Sequence, residues 1–228
     1  MRSRALNNPV ILLLLLMMLG CATYVVGLEL KTIKVDYAQA PPPPQPSQTA
    51  LVPIPAPPPA GAPALNASPP VSIDVPRLGI HAEVMTTGLN EDGTLAVPSD
   101  DDARRAAWYE GSSSPGQAGP AVIVGHVDSW SLPRGEAVFY PLGAAKRKDE
   151  VDIARADGTV AVFSVDSVSV FSRDSFPTGK VYAPVPDPEL RLITCGGAYT
   201  SHGYSGNVIV FAHYTGTRSG PQSTAPSA

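Results

Sequence analysis

The chain has 228 residues, enough for one ordinary domain with appendages. A formal net charge of −4 and a pI near 5.5 leave no broad basic field for nucleic acid. Only two cysteines occur, Cys21 and Cys195, which excludes a disulfide framework.

Arg2 and Arg4 precede a charge-free run from Ala5 to Leu28, nearly all Leu, Ile and Met between Val10 and Gly20. A helix needs about 20 apolar residues to span a bilayer, so residues 10–28 predict a transmembrane signal anchor. The basic residues lie before it, so residues 1–9 are expected in the cytoplasm and the rest outside, making the protein a single-pass cell-membrane protein. Met18-Leu19-Gly20-Cys21 reads alternatively as a lipoprotein processing site with Cys21 lipidated, although the apolar run continues from Ala22 to Leu28. Residues 38–70, with Pro41–Pro44, Pro57–Pro59 and Pro69-Pro70, predict a semi-rigid polyproline linker.

Residues 71–214 form the expected folded domain, and residues 215–228 an expected disordered tail. The domain's signals are mainly β. Short β-branched runs cover Val71–Val75 and Ile80–Val84, and Asn90-Glu91-Asp92-Gly93 is a turn before a strand at Thr94–Val97. Ala121–Val124 and Val208–Ala212 are continuous apolar runs, the pattern of strands buried on both faces. Val151–Ala154 and Thr159–Phe171 flank an Asp157-Gly158 hairpin turn, Leu190–Thr194 is one more strand, and a short helical turn is expected near Phe139–Ala145. Many short strands with regular turns predict a closed barrel or a sandwich.

Cys21 sits inside the apolar run, so Cys195 is a lone thiol, following Leu192-Ile193-Thr194 and preceding Gly196-Gly197. A buried cysteine packs like a small hydrophobe, but an unpaired thiol outside the membrane points toward chemistry. A catalytic thiol needs a base, usually His. Of His81, His126, His202 and His213, His126 ends the apolar strand Val122-Ile123-Val124-Gly125 and makes the best partner. His81 reads as a packed histidine within a strand, and His202 and His213 as surface residues. Trp108 and Tyr109 read as packing, and Asp100-Asp101-Asp102 as a solvated loop without the ligand spacing of a calcium site. No cofactor or metal is expected.

Leu192-Ile193-Thr194-Cys195 resembles the cysteine signature of sortases, and Val124-Gly125-His126 their His-bearing strand end. The likeness spans about Ile73–Ala212 and takes in Asp92-Gly93-Thr94, Trp108-Tyr109, Pro115-Gly116, Gly125–Ser129, Arg191–Gly197 and Asn207–Val210. It is closest to the actinobacterial class F. The resemblance implies an eight-stranded sortase-type β-barrel with short helices. It also implies a cysteine transpeptidase of the hydrolase class, in which Cys195 forms an acyl-thioester and His126 is proton donor and acceptor. The implied partners are sorting-signal peptides of secreted proteins, related to Leu-Pro-x-Thr-Gly, and an accepting amine of a cell-wall precursor.

The chain departs from the family where an Arg usually follows the cysteine loop. No Lys or Arg occurs between Cys195 and Arg218, and Asn207 stands at about the expected place. The Thr194 hydroxyl, the backbone N–H groups near Gly196, or Arg191, Arg104 or Arg105 are other candidates to hold a tetrahedral oxyanion. The alternative reading is a catalytically weak or inactive, membrane-anchored peptide-binding domain. An L,D-type transpeptidase fits less well, because Ile193-Thr194-Cys195-Gly196 lacks the Ser and Gly those enzymes place before the cysteine.

Overall fold

The computed structural model describes residues 62–219. Eight strands follow in chain order: β1 (Pro70–Val75), β2 (Ile80–Thr87), β3 (Ala106–Tyr109), β4 (Gly119–Val124), β5 (Glu150–Arg155), β6 (Thr159–Ser172), β7 (Pro188–Thr200) and β8 (Gly203–Ser219). They close into a barrel in the order β1-β2-β3-β4-β7-β8-β6-β5, with β5 returning to β1. β2–β3 and β4–β7 are parallel and the other pairs antiparallel. The fold is thus the eight-stranded barrel that the resemblance implies, and closure decides between the barrel and the sandwich that the strand pattern left open.

Strand alternation fills the interior. Leu190 and Leu192 point inward with Ile73, Ile123, Ile153 and Phe163, all fully buried. The intervening positions of β4, β7 and β8 are not left to water. Val122, Val124, Ile193 and Ile209 form a second apolar layer on the barrel's outer face, covered by Val181 of the short helix α1 (Thr178–Tyr182) and flanked by Phe176 and Tyr182. Burial on both faces is the physical reason for the unbroken apolar runs in these strands.

Several expectations are corrected. Thr94–Val97 makes no strand. The Asn90–Gly93 turn closes through the Gly93 N–H to the Asn90 carbonyl at 2.9 Å, and only an isolated bridge joins Leu89 to Leu95. β3, through Trp108 and Tyr109, was not legible as a strand because its pairing is short and its first two residues are alanines. The helical turn near 139–145 is a 3-10 helix over Tyr140–Ala144. His81 is not packed but exposed, its ring 2.8 Å from Asp74.

The ends of the described domain are tied down further than the sequence suggested. β8 runs to Ser219, where Arg218 pairs with Glu150 and Asp152, so the stretch 215–219 is strand rather than tail. At the other end, Leu65 donates its N–H to the Gly116 carbonyl at 2.8 Å, Ser68 donates to the Ser114 hydroxyl at 3.0 Å, and Ala62 and Leu65 pack on the core. The last part of the expected 38–70 linker is therefore docked on the barrel. The expected anchor at 10–28, the rest of the linker and residues 220–228 lie outside the described residues. Among the described residues no helix is long and apolar enough to cross a membrane.

Candidate active site

β4 and β7 run parallel, with Val124 opposite Ile193. Past that point the Gly125 N–H donates to the Ile193 carbonyl at 3.1 Å, and the buried Thr194 hydroxyl donates to the Gly125 carbonyl at 2.8 Å. The paired ladder ends at Val124 and Ile193, two residues before His126 on one strand and two before Cys195 on the other. Gly125 is required there: a Cβ would stand 2.6 Å from the Val138 side chain and 2.8 Å from the Phe139 ring. Phe139 in turn donates its N–H to the His126 carbonyl at 2.9 Å, fixing the backbone under the imidazole.

His126 Nε2 lies 2.6 Å from the Pro98 carbonyl. A carbonyl only accepts, so Nε2 carries the proton and Nδ1 is left as the basic nitrogen. The long β2–β3 connection thus orients the ring, a role for Pro98 that no sequence pattern announced.

Cys195 is a free, half-buried thiol. It lies within β7 rather than at its end, directly opposite Asn207 of β8. The two share the outward face with Ile193 and Ile209. Burial pushes the thiol above its ordinary pKa; the positive charge of Arg173 pulls it down, and the Asp128 carboxylate pushes it up again. Asp128 itself accepts a 2.5 Å hydrogen bond from the Tyr204 phenol. Burial, that hydrogen bond and the Asp128 charge all raise the Tyr204 pKa strongly. Tyr199 packs edge-on against Tyr204, with centroids 5.0 Å apart.

Of the proposed oxyanion groups, most are engaged elsewhere. Thr194 spends its hydroxyl on Gly125. Arg191 is buried, pairs with Glu189 and lies 4.9 Å over the Phe211 ring. Arg105 pairs with Glu83 and Asp102. Arg104 lines a separate hollow with Leu78, His81 and Tyr140. The cation whose charge favours the Cys195 thiolate is Arg173, in the turn after β6, which the sequence did not single out because a lone Arg beside Asp174 reads as a solvated turn.

On the outer face lies a groove of about 1210 Å³. Leu95, Val122, Phe176 and Tyr182 give it an apolar lining, and Arg173 and Asn207, the strand partner of Cys195, line it as well. Asp100 accepts from Ser129 at 3.0 Å, and Asp102 pairs with Ser99 and Arg105. Among the described residues no group of three or more His, Cys, Asp or Glu side chains is arranged to hold a metal ion.

Comparison with known proteins bears on this arrangement. The sortase domain family matches residues 73–215. No match is found among curated sequences. Among solved structures, the SrtA sortase from Actinomyces oris is similar at 20% identity and a TM-score of 0.53, over 74% of this chain and 96% of that one. A lid mutant of sortase A from Corynebacterium diphtheriae is similar at 21% identity and a TM-score of 0.50, over 66% and 73%. Sortase C of Streptococcus pneumoniae reaches 22% and 0.50, over 66% and 67%. At these identities the structural likeness speaks for the barrel alone, but the family match spans nearly all of it, and the chain belongs to the sortase family of cysteine transpeptidases.

Proposed function

We propose that this chain is an active transpeptidase in which Cys195 is the nucleophile and His126 the proton donor and acceptor. The observation that supports the reading is the β4–β7 register, tied by the Thr194 to Gly125 hydrogen bond, whose paired ends lie two residues before His126 and two before Cys195. His126 takes the Cys195 thiol proton, the resulting thiolate Sγ adds to a peptide carbonyl carbon, and the carbonyl π electrons move onto oxygen. The tetrahedral adduct collapses as His126 gives a proton to the departing amine, leaving a thioester. An amine then attacks the thioester, His126 takes its proton, and Cys195 is released with a new amide bond formed.

The apolar groove suits an extended, uncharged peptide, in keeping with a sorting signal related to Leu-Pro-x-Thr-Gly and with a cell-wall precursor amine as acceptor. The motif order along Ile73–Ala212 supports a class F affiliation. The charge-free run at 10–28 behind Arg2 and Arg4 supports a membrane anchor with residues 62–219 outside the cell.

The test is mass spectrometry of the soluble domain incubated with a library of Leu-Pro-x-Thr-Gly peptides. A covalent adduct on Cys195 is expected, absent in Cys195→Ala and nearly absent in His126→Ala. Cleavage surviving in Cys195→Ala would overturn the reading. A second reading, a peptide-binding domain without turnover, is favoured by one observation: a neutral Asn207, not a cation, faces the thiol across β8. Peptide binding with no adduct at any pH would replace the first reading with this one.

A further inference from the structure

Acyl transfer places a negative charge on the carbonyl oxygen, and fixed donors aimed at that oxygen are the largest single source of rate in such sites. In this chain β8 offers no cation for the purpose: no Lys or Arg lies between Cys195 and Arg218, and the position opposite the thiol is Asn207.

The neighbouring strand supplies one. β6 pairs with β8 as far as Phe171 opposite Asn207 and Ser172 opposite Gly206, and Arg173 is the next residue. The approach is close, since a Cβ on Gly206 would stand 2.1 Å from the Phe171 carbonyl oxygen. The absence of a side chain at Gly206 therefore lets the end of β6 press against β8 beside the Cys195–Asn207 pair. The Arg173 guanidinium extends over the β7–β8 hairpin, with Nη2 3.6 Å from where a Gly203 Cβ would be. It is exposed, makes no ion pair among the described residues, and lines the same groove as Asn207. Arg191 and Arg105, by contrast, are held by carboxylates.

We propose that Arg173, delivered from the turn after β6, is the catalytic cation of this site: it donates to the oxyanion of the tetrahedral adduct, with the Asn207 amide as a neutral companion. The proposal rests on the transpeptidase reading. It makes the oxyanion site of this chain a composite of β6 and β8 rather than a property of β8 alone. The same charge favours the thiolate, which gives a readout independent of turnover.

Two measurements on the soluble domain test it. The first is single-turnover acylation by a Leu-Pro-x-Thr-Gly peptide. Arg173→Ala is expected to slow it by about 10²-fold. Asn207→Ala should slow it less, Arg173→Lys should recover part of the rate, and Asn207→Arg placed in the Arg173→Ala background should recover most of it. Arg104→Ala, in the separate hollow, should behave as wild type. The second is the pH profile of Cys195 alkylation by iodoacetamide, whose midpoint should rise in Arg173→Ala. Unchanged acylation in Arg173→Ala, or a loss that neither Arg173→Lys nor Asn207→Arg relieves, overturns the proposal. If the wild-type domain forms no adduct, the transpeptidase reading fails by itself. The alkylation profile then decides alone whether Arg173 acts on the thiol, and an unmoved midpoint sinks it.

Discussion

At the scale of single residues, the thiol is poised between burial and two opposite charges. Burial is the largest influence and disfavours the thiolate; Arg173 works against it and Asp128 with it. Thiolate is the reactive form, so alkylation by iodoacetamide is expected to climb with pH through a midpoint above that of an ordinary free cysteine. Asp128→Asn removes a charge that disfavours the thiolate, and its midpoint should fall. This shift, opposite in sign to that of Arg173→Ala, is checked on the same rate-against-pH curves. The sequence singles out Cys195 and His126 because each is a reactive side chain at the limit of an apolar run, beside glycine. It does not single out Arg173, since its proximity to Cys195 depends on β6 and β8 being neighbours, a relation between residues far apart in the chain.

At the scale of elements, the parallel β4–β7 pair underlies the candidate site. Thr194 holds it where the ladder ends, its buried hydroxyl satisfying the Gly125 carbonyl. Thr194→Val keeps the shape and leaves that carbonyl unpaired, a cost of about 1–3 kcal/mol. The urea midpoint should fall accordingly. Acylation should drop as well, because the His126 backbone loses its tie to β7; a normal acylation rate in a destabilised Thr194→Val domain would confine Thr194 to folding. The strands with long apolar or β-branched runs were readable because both of their faces, or one continuous face, are buried. The Thr94–Val97 segment misled because apolar alternation records burial, and these residues serve a loop around the groove that makes only the Leu89–Leu95 bridge. β3 escaped notice because Ala106 and Ala107 carry little β signal; it exists because β2 and β4 pair with it on either side.

At the scale of the described domain, closure of the barrel makes both of its end segments, residues 62–69 and 215–219, part of the fold. Residues 62–69 satisfy Ser114 and Gly116 and accept the buried Arg155 guanidinium at the Asn66 carbonyl. The last residues of β8 continue the ladder from Val162 opposite Gly216 to Thr159 opposite Ser219. A domain cut to residues 71–214, the boundaries the sequence suggests, is expected to unfold at a lower temperature than one spanning 62–219. The difference should be about 5 °C or more, for a loss of roughly 2 kcal/mol in a domain of this size. Calorimetry of the two forms measures it, and equal melting temperatures would mean that both end segments contribute nothing.

The sequence by itself determined the local features: strands wherever alternation or a continuous apolar run demanded burial, a thiol without a disulfide partner, and a histidine after a buried strand. It also exposed the missing cation on β8, since the absence of Lys and Arg between Cys195 and Arg218 is plain in one dimension. The tertiary structure decided which residues meet. The β4–β7 register brings together the strand ends that lead into His126 and Cys195, only the β2–β3 connection brings the Pro98 carbonyl to the imidazole, and the β6–β8 pairing ends one residue before Arg173, with Phe171 opposite Asn207. The physical reason is range. Burial and turn chemistry act within a few neighbours along the chain, whereas the charge and hydrogen bonds around Cys195 are exchanged between strands that closure of the barrel makes adjacent.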